Sequence, residues 1–554
     1  MTFARTLLPL AAALALCPAH AAEPALDSAR IDAVFSAFTD STPGCALNIN
    51  RHGRSVYAKG YGLADLNHGV PIRPDTVFDI GSTSKQFTAL SLLLLEQDGK
   101  LKLDDRLDQH LPELATTFAH PITLRQLLNH TAGLSDYNIL LSLAGHGEAD
   151  VTGNEEALKV IRAVPELMFK PGTQQAYSNT GYFLAALVAE RVSGQSLDAF
   201  LQARVFKPLG MKDSHVRTDH TQVVARRASA YAPGETGFAI AMSNWNQAGD
   251  GAIQSTVQDL ARWDAELASP KVIAPALIKA LRTPGQLADG KAIPYGLGQS
   301  VDSYKGVARV HHSGAWAGYR ALTAHYPEQG LGLALTCNGA QINPDQLGTR
   351  LADVLLGPAL TSSTPAASGA VSAPVAAATD FKALEGRYLD MAQARVIRIE
   401  PHPQQPGQWA LVTGPGVTQL VGLGAREVQT VSGLTRLSLS TDGREMELRR
   451  PREGSRSVLK RLGQNPPDAA QRQAWVGAYR HPGLGTAWTV EATADGKLRL
   501  KGRGLPPDNE LELVGDDLAL NDAFVLQLQR DAKGRPQAFV LRNARLPELR
   551  FERG

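Results

Sequence analysis

Phe78-Asp-Ile-Gly-Ser82-Thr-Ser-Lys85-Gln-Phe-Thr-Ala-Leu-Ser-Leu-Leu-Leu-Leu95 is the stretch that decides how this 554-residue chain is read. From Ser82 to about Gln97 the apolar positions are dense and free of Gly and Pro, which predicts a buried helix stopping at Asp98-Gly99. Gly81 allows a tight entry. Residues i and i+3 share a helix face, so Ser82 and Lys85 can touch. The start of a buried helix also offers unpaired N–H groups and the positive end of its dipole, both favourable to negative charge developing near Ser82. A serine hydroxyl is a poor nucleophile until a neighbour takes its proton. A lysine does this only where burial or nearby positive charge brings its pKa from ~10.4 towards ~7–8. The same spelling recurs at Ser457-Val-Leu-Lys460, in a strand-like segment where residues three apart face opposite ways, so that pair cannot meet.

Two further motifs follow. Pro171-Gly-Thr-Gln-Gln-Ala-Tyr177-Ser-Asn179-Thr-Gly-Tyr-Phe183 contains the chain's single Tyr-x-Asn. In an extended segment residues two apart project to one side, so a phenol and an amide would enter one cleft. Tyrosine can pass protons and asparagine can hold a substrate carbonyl. Equally, Asn179 can cap a helix running from Thr180 to Val192. Ala308-Arg-Val-His-His312-Ser313-Gly314-Ala315-Trp316 then sits where a strand edge can line a cleft, and Gly314 lets a ligand approach the backbone. By itself His312 reads as a satisfied surface histidine.

In this order, Ser82-x-x-Lys85, Tyr177-x-Asn179 and His312-x-Gly314 resemble the penicillin-recognising serine hydrolases: class C β-lactamases, D-alanyl-D-alanine carboxypeptidases, D-aminopeptidases and related esterases. Leu127-Leu-Asn-His-Thr-Ala-Gly-Leu134 and Gly249-Asp-Gly-Ala-Ile-Gln-Ser-Thr-Val-Gln-Asp-Leu-Ala-Arg-Trp263 resemble other recurrent segments of that superfamily, across about residues 27–356. The resemblance implies an α/β (α+β) domain, an antiparallel sheet flanked by helices with a helical subdomain. It implies that Ser82 forms an acyl-enzyme and that Lys85 and Tyr177 relay protons. It further implies that Asn179 binds the substrate amide, that Ser313 and Gly314 line the site, and that the N–H groups of Ser82 and Ala315 form an oxyanion hole. His312 would orient the substrate or its charged end. Many β-lactamases carry Lys-Thr-Gly where this chain has His312-Ser313-Gly314, and a histidine supplies no fixed charge at pH 7. The whole-chain layout looks most like a D-aminopeptidase. The expected substrate is a small peptide, amide or ester, with D-residues favoured. The alternatives are a β-lactamase or small-ester esterase, and a non-catalytic penicillin- or peptidoglycan-fragment-binding protein.

The rest of the chain sets the frame. Residues 1–21 read as a signal peptide: Arg5, an apolar run from Leu7 to Leu16 too short to span a bilayer, and Ala19-His20-Ala21 as cleavage site. This predicts a secreted or periplasmic protein. Past it no stretch is long and apolar enough for a membrane helix. The net charge of +2 without basic runs gives no reason to expect nucleic acid as partner. Of three cysteines, Cys45 and Cys337 would survive processing, as a disulfide or as two buried thiols. No Cys/His cluster or metal-type spacing occurs, and no cofactor is implied. The hydrolase domain is assigned to 22–356, and a linker of small residues and prolines to 357–380. Strand patterns then predict two β-barrel-like domains, 381–465 and 466–554. Leu384-Glu-Gly-Arg-Tyr388 repeats as Trp475-Val-Gly-Ala-Tyr479, and Asp442-Gly443 and Asp495-Gly496 mark hairpins.

Overall fold

The computed structural model describes residues 26–360 and 379–554, apart from short breaks at 392, 404, 414–415, 432–434, 451–454, 464–466, 506–508, 516 and 522. The assigned signal peptide and most of the assigned linker lie outside the described residues.

The first half is built on a six-stranded antiparallel sheet. Its spatial order is Ser300–Tyr304, Val307–Trp316, Tyr319–Tyr326, Leu331–Cys337, Cys45–Arg51 and Arg54–Tyr61. Leu331–Cys337 and most of Cys45–Arg51 are buried on both faces, as near-continuous apolar runs require. One face is closed by the helices Ser28–Val34 and Pro344–Leu356, with Ile31, Phe35 and Leu351 packed on Leu47 and Leu335. Against the other lies Val257–Ala268, and on its Trp263 packs Phe87 of the helix Lys85–Gln97, whose residues Lys85 to Leu95 are all buried. Cys45 and Cys337 face each other in register on neighbouring strands and are joined as a disulfide, which resolves the two readings the sequence left open. Helices between Leu107 and Phe206 form the expected helical subdomain, with Asn179–Ser193 at its centre.

The second half forms two closed eight-stranded barrels, between Gly386 and Arg461 and between Gly477 and Arg553. The sequence repeat is a repeat of contacts. Tyr388 donates its hydroxyl proton to the Leu384 carbonyl at 2.7 Å, and Tyr479 to the Trp475 carbonyl at 2.9 Å. Arg461 donates to the Glu385 carbonyl and lies over the Tyr388 ring; Arg553 does the same to Val476 and Tyr479. A short helix plugs the start of each barrel, and the second Ser-x-x-Lys lies inside the strand Ser455–Arg461.

The second barrel docks on the helical subdomain. Its Trp475, Trp488 and Phe551 belong to the same continuous apolar core as Tyr137, Leu140 and Phe183. Thr486 donates to the Leu143 carbonyl at 2.6 Å, and the amide of Asp136 donates to the Arg545 carbonyl at 2.9 Å. The first barrel keeps a core of its own.

Candidate active site

Ser82 stands at the junction of sheet and helical subdomain. The sequence predicts that the helix begins at Ser82; instead Gly81–Ser84 is a 3-10 turn and the α-helix begins at Lys85. The tighter turn is pinned from below. The buried Asp79 carboxylate accepts the Gly81 amide at 2.8 Å and the Gln254 side chain at 2.8 Å. Burial raises the Asp79 pKa, opposed by these donors and by Arg227 and Arg217. Thr83 ties the turn to the His312 carbonyl at 3.2 Å.

Lys85 is fully buried and its ammonium has three acceptors: Ser82 Oγ at 3.0 Å, Asn179 Oδ1 at 2.8 Å and the Asp250 carbonyl at 2.7 Å. The orientation of the Asn179 amide is set by its other end, because Nδ2 donates to the Asp136 carboxylate at 3.0 Å. Both carbonyl-type partners can only accept. A neutral Lys85 amine that keeps both bonds therefore turns its lone pair toward Ser82 Oγ. Asn179 is the first residue of its helix with Ser178 as N-cap, so helix start and site position coincide. The Tyr177 ring centroid lies 4.9 Å from Lys85 Nζ and 4.2 Å from the His130 ring.

His312 lies on Val307–Trp316, where Ser300–Tyr304 pairs only as far as His311; from His312 onward the strand has a free margin facing the Ser82 turn. A Cβ on Gly314 would meet the Ile80 carbonyl at 2.0 Å and the Ser82 amide nitrogen at 3.1 Å. Gly81 has φ +50°, and a Cβ there would lie 2.8 Å from the Ala315 nitrogen. The two bare backbones thus touch, which brings the Ser82 and Ala315 stretches of backbone close together. Ser313, half-buried, and Ala315, exposed, complete this wall.

The His312 ring is buried and satisfied at both nitrogens. Nδ1 lies 2.6 Å from the Ser313 carbonyl, which only accepts, so Nδ1 carries the proton and Nε2 receives the Tyr295 hydroxyl at 3.0 Å. Burial, with the Lys85 charge second, pushes its pKa down to about 3. His312 is a neutral wall residue braced by Tyr295, not a cation awaiting a charged substrate end.

The structure brings Ser82, Lys85, Tyr177, Asn179, His312, Ser313, Gly314 and Ala315 together in one place. It adds groups that the sequence reading did not single out. Asp136 orients Asn179, and Asp250 lends its carbonyl to Lys85 while its carboxylate accepts Tyr137 Oη at 3.0 Å. His130 is buried beside Tyr177 and held well below the usual histidine range by burial and then by the Lys85 and Arg545 charges. Asp250 and His130 lie inside the two segments that carried the family resemblance, which was their only signal in the sequence. Among the described residues no group of His, Cys, Asp and Glu could hold a metal ion.

Comparison with known proteins places the chain in a family. The chain is 26% identical over 509 residues to a D-aminopeptidase of Gluconobacter oxydans, covering 91% of this chain and 92% of that protein. It is 30% identical over 293 residues to penicillin-binding protein 4* of Bacillus subtilis, covering 50% of this chain and 63% of that one. The octameric penicillin-binding protein homologue from Pyrococcus abyssi superposes with a TM-score of 0.55 at 22% identity, over 78% of this chain and all of that one, and so shares the fold. Residues 31–357 match the family model described as Beta-lactamase, so the chain belongs to the beta-lactamase family and is a serine hydrolase.

Proposed function

We propose that this protein hydrolyses amide bonds of small D-amino-acid peptides and amides through an acyl-enzyme on Ser82. The observation that carries the reading is the three-way setting of Lys85 Nζ, which directs a neutral amine's lone pair at Ser82 Oγ. Ser82 Oγ attacks the substrate carbonyl carbon and Lys85 takes its proton. The oxygen, now an anion, faces the N–H groups of Ser82 and Ala315. When the tetrahedral species collapses, the amide C–N bond breaks and the leaving nitrogen receives that proton, with Tyr177 as relay. Water then attacks the Ser82 ester, gives a proton back through the same groups and restores the hydroxyl. Asn179 and the Ser313–Ala315 edge hold the substrate. The D-aminopeptidase that aligns with nearly the whole chain, barrels included, supports the D-configured substrate class.

Hydrolysis of D-alanine p-nitroanilide against turnover of nitrocefin tests the substrate class. Turnover of the D-amide with little of the β-lactam is expected; fast nitrocefin turnover would make the enzyme a β-lactamase. No reaction with either, and no labelling by a fluorophosphonate, would favour the non-catalytic binder. Export to the periplasm or beyond, with cleavage after Ala21, belongs to the same proposal. The Cys45–Cys337 disulfide, which suits an oxidising compartment, supports it. N-terminal sequencing of the mature protein is expected to begin at Ala22 or Glu23.

A further inference from the structure

The cleft has a wall that the catalytic fold does not supply. Arg545 lies in the hairpin between the last two strands of the second barrel, Pro536–Asn543 and Leu546–Arg553. Its guanidinium carbon is 4.9 Å from the centroid of the Tyr177 ring, the same distance at which Lys85 Nζ sits. The hairpin is fixed there from both ends. The Asp136 amide donates to the Arg545 carbonyl at 2.9 Å, and the Asn543 side chain accepts the Arg545 amide at 2.9 Å. The guanidinium is 3.5 Å from the fully buried Asp136 carboxylate, while 44% of the Arg545 side chain remains accessible. Asp136 already accepts the Asn138 and Asn179 amides and the Asn179 side chain. It anchors one edge of the arginine without enclosing it. The Arg545 charge is also one of the causes, after burial and the Lys85 charge, that lower the pKa of the buried His130 beside Tyr177.

We propose that Arg545 is a specificity-determining residue that binds the carboxylate of the substrate, making short peptides with a free α-carboxylate on the leaving residue the preferred substrates. This rests on Ser82 as nucleophile. The charge argument is one of elimination within the cleft. Lys85 is spent on Ser82, Asn179 and Asp250, and His312 is neutral and satisfied at both nitrogens. Arg545 is then the accessible fixed cation beside Tyr177. A guanidinium recognises a carboxylate through paired N–H donors, and stacking on a phenol ring leaves that fork pointing along the ring plane. In a dipeptide the leaving residue's carboxylate lies within a few ångströms of the scissile carbonyl, and the ring that carries Arg545 has its centroid 4.9 Å from the Lys85 ammonium that touches Ser82. Its positive charge opposes a substrate ammonium at the same spot, so the free amine of a D-amino-acid substrate belongs on the acyl side.

The test uses D-alanyl-D-alanine and D-alanyl-D-alaninamide, which share acyl group and leaving residue and differ in one charge. The full-length enzyme is expected to show a kcat/KM at least tenfold higher on the acid. In Arg545→Ala that ratio is expected to fall at least tenfold, with the loss mainly in KM. Arg545→Lys is expected to keep part of the preference, and Arg545→Glu to reverse it. Equal turnover of acid and amide by the unmodified enzyme, or an Arg545→Ala variant slower on both with an unchanged ratio, would overturn the proposal. The second result would leave Arg545 a structural clamp for Asp136. Failure of the Ser82 reading is distinct, because neither peptide would then be cleaved and a fluorophosphonate would not label Ser82.

Discussion

The two barrels share strand count, closing contacts and plug helix, yet they meet the rest of the molecule differently. The first closes around its own core. The second merges its core with that of the helical subdomain, sends Thr486 to the Leu143 carbonyl and lays Arg545 over Tyr177. Between the barrels, Leu389 and Leu462 meet Leu520 and Val525, and Arg387 pairs with Glu512. The same barrel design thus closes on itself in one copy and, in the other, joins the catalytic half and lays one hairpin on Tyr177. What separates the two is the docking face, one hairpin and the stacked Trp488, Phe539 and Phe551 inside the second barrel, while the closing Tyr and Arg contacts are the same.

The largest expected effect comes from removing the second barrel. Ending the chain at residue 465 uncovers apolar surface around Tyr137, Leu140 and Leu143, and each such side chain contributes about 1.5–3 kcal/mol when buried. The melting temperature is expected to fall by several degrees and kcat/KM on D-alanyl-D-alanine by at least 100-fold. A fully active, equally stable truncation would erase the distinction between the barrels.

A matched pair of glycine substitutions sharpens it. Gly504 has φ +80°, and a Cβ there would sit 2.6 Å from the Ser142 carbonyl, across the docking face. Gly504→Val is expected to cost about 2–3 kcal/mol and to lower kcat/KM roughly tenfold by levering the barrel away. Gly386 in the first barrel has φ +152°, and a Cβ would meet Arg461 Nε at 3.2 Å. Gly386→Ala is expected to cost about 1–2 kcal/mol of stability while kcat/KM stays within twofold. Thermal unfolding and steady-state kinetics on the two variants read both effects.

The smallest effect is that of pH. His130, His312 and His481 have folded pKa values depressed by burial, His312 to about 3, and all three belong to the body formed by the catalytic half and the second barrel. Below the unfolded-state value of about 6.5 the unfolded chain takes up protons that the folded one does not, so stability is full above that pH and falls as pH drops toward the folded values. Calorimetry between pH 7 and pH 5 is expected to show the transition of this body moving down. The first barrel, with no buried histidine among its described residues, is expected to move less.

The same contrast governs what the sequence could disclose. Ser82, Lys85, Tyr177, Asn179 and His312 were legible because each motif is local: a helix face, a two-residue step, a strand end. Both barrels were legible from alternating strands and a repeated Gly-x-Tyr. Arg545 was not, because Asn543-Ala-Arg545-Leu reads as any hairpin, and its meaning comes from docking against Asp136 across the chain. Asp136 itself looks like a helix cap, which it also is, accepting the Asn138 amide. Tyr295 carries no motif and acquires its place when the chain turns back between it and His312, bringing its hydroxyl to the imidazole. The disulfide stayed open at the sequence level because its geometry depends on the register of two strands separated by 292 residues.

The most direct measurement is intact-protein and peptide mass spectrometry after reaction with a fluorophosphonate, on the unmodified enzyme, Ser82→Ala and Lys85→Met. A single adduct on the peptide containing Ser82, absent from the alanine variant and formed at least 1,000-fold more slowly in the methionine variant, is the expected result. An adduct on another residue, or peptide hydrolysis surviving in Ser82→Ala, would contradict the account.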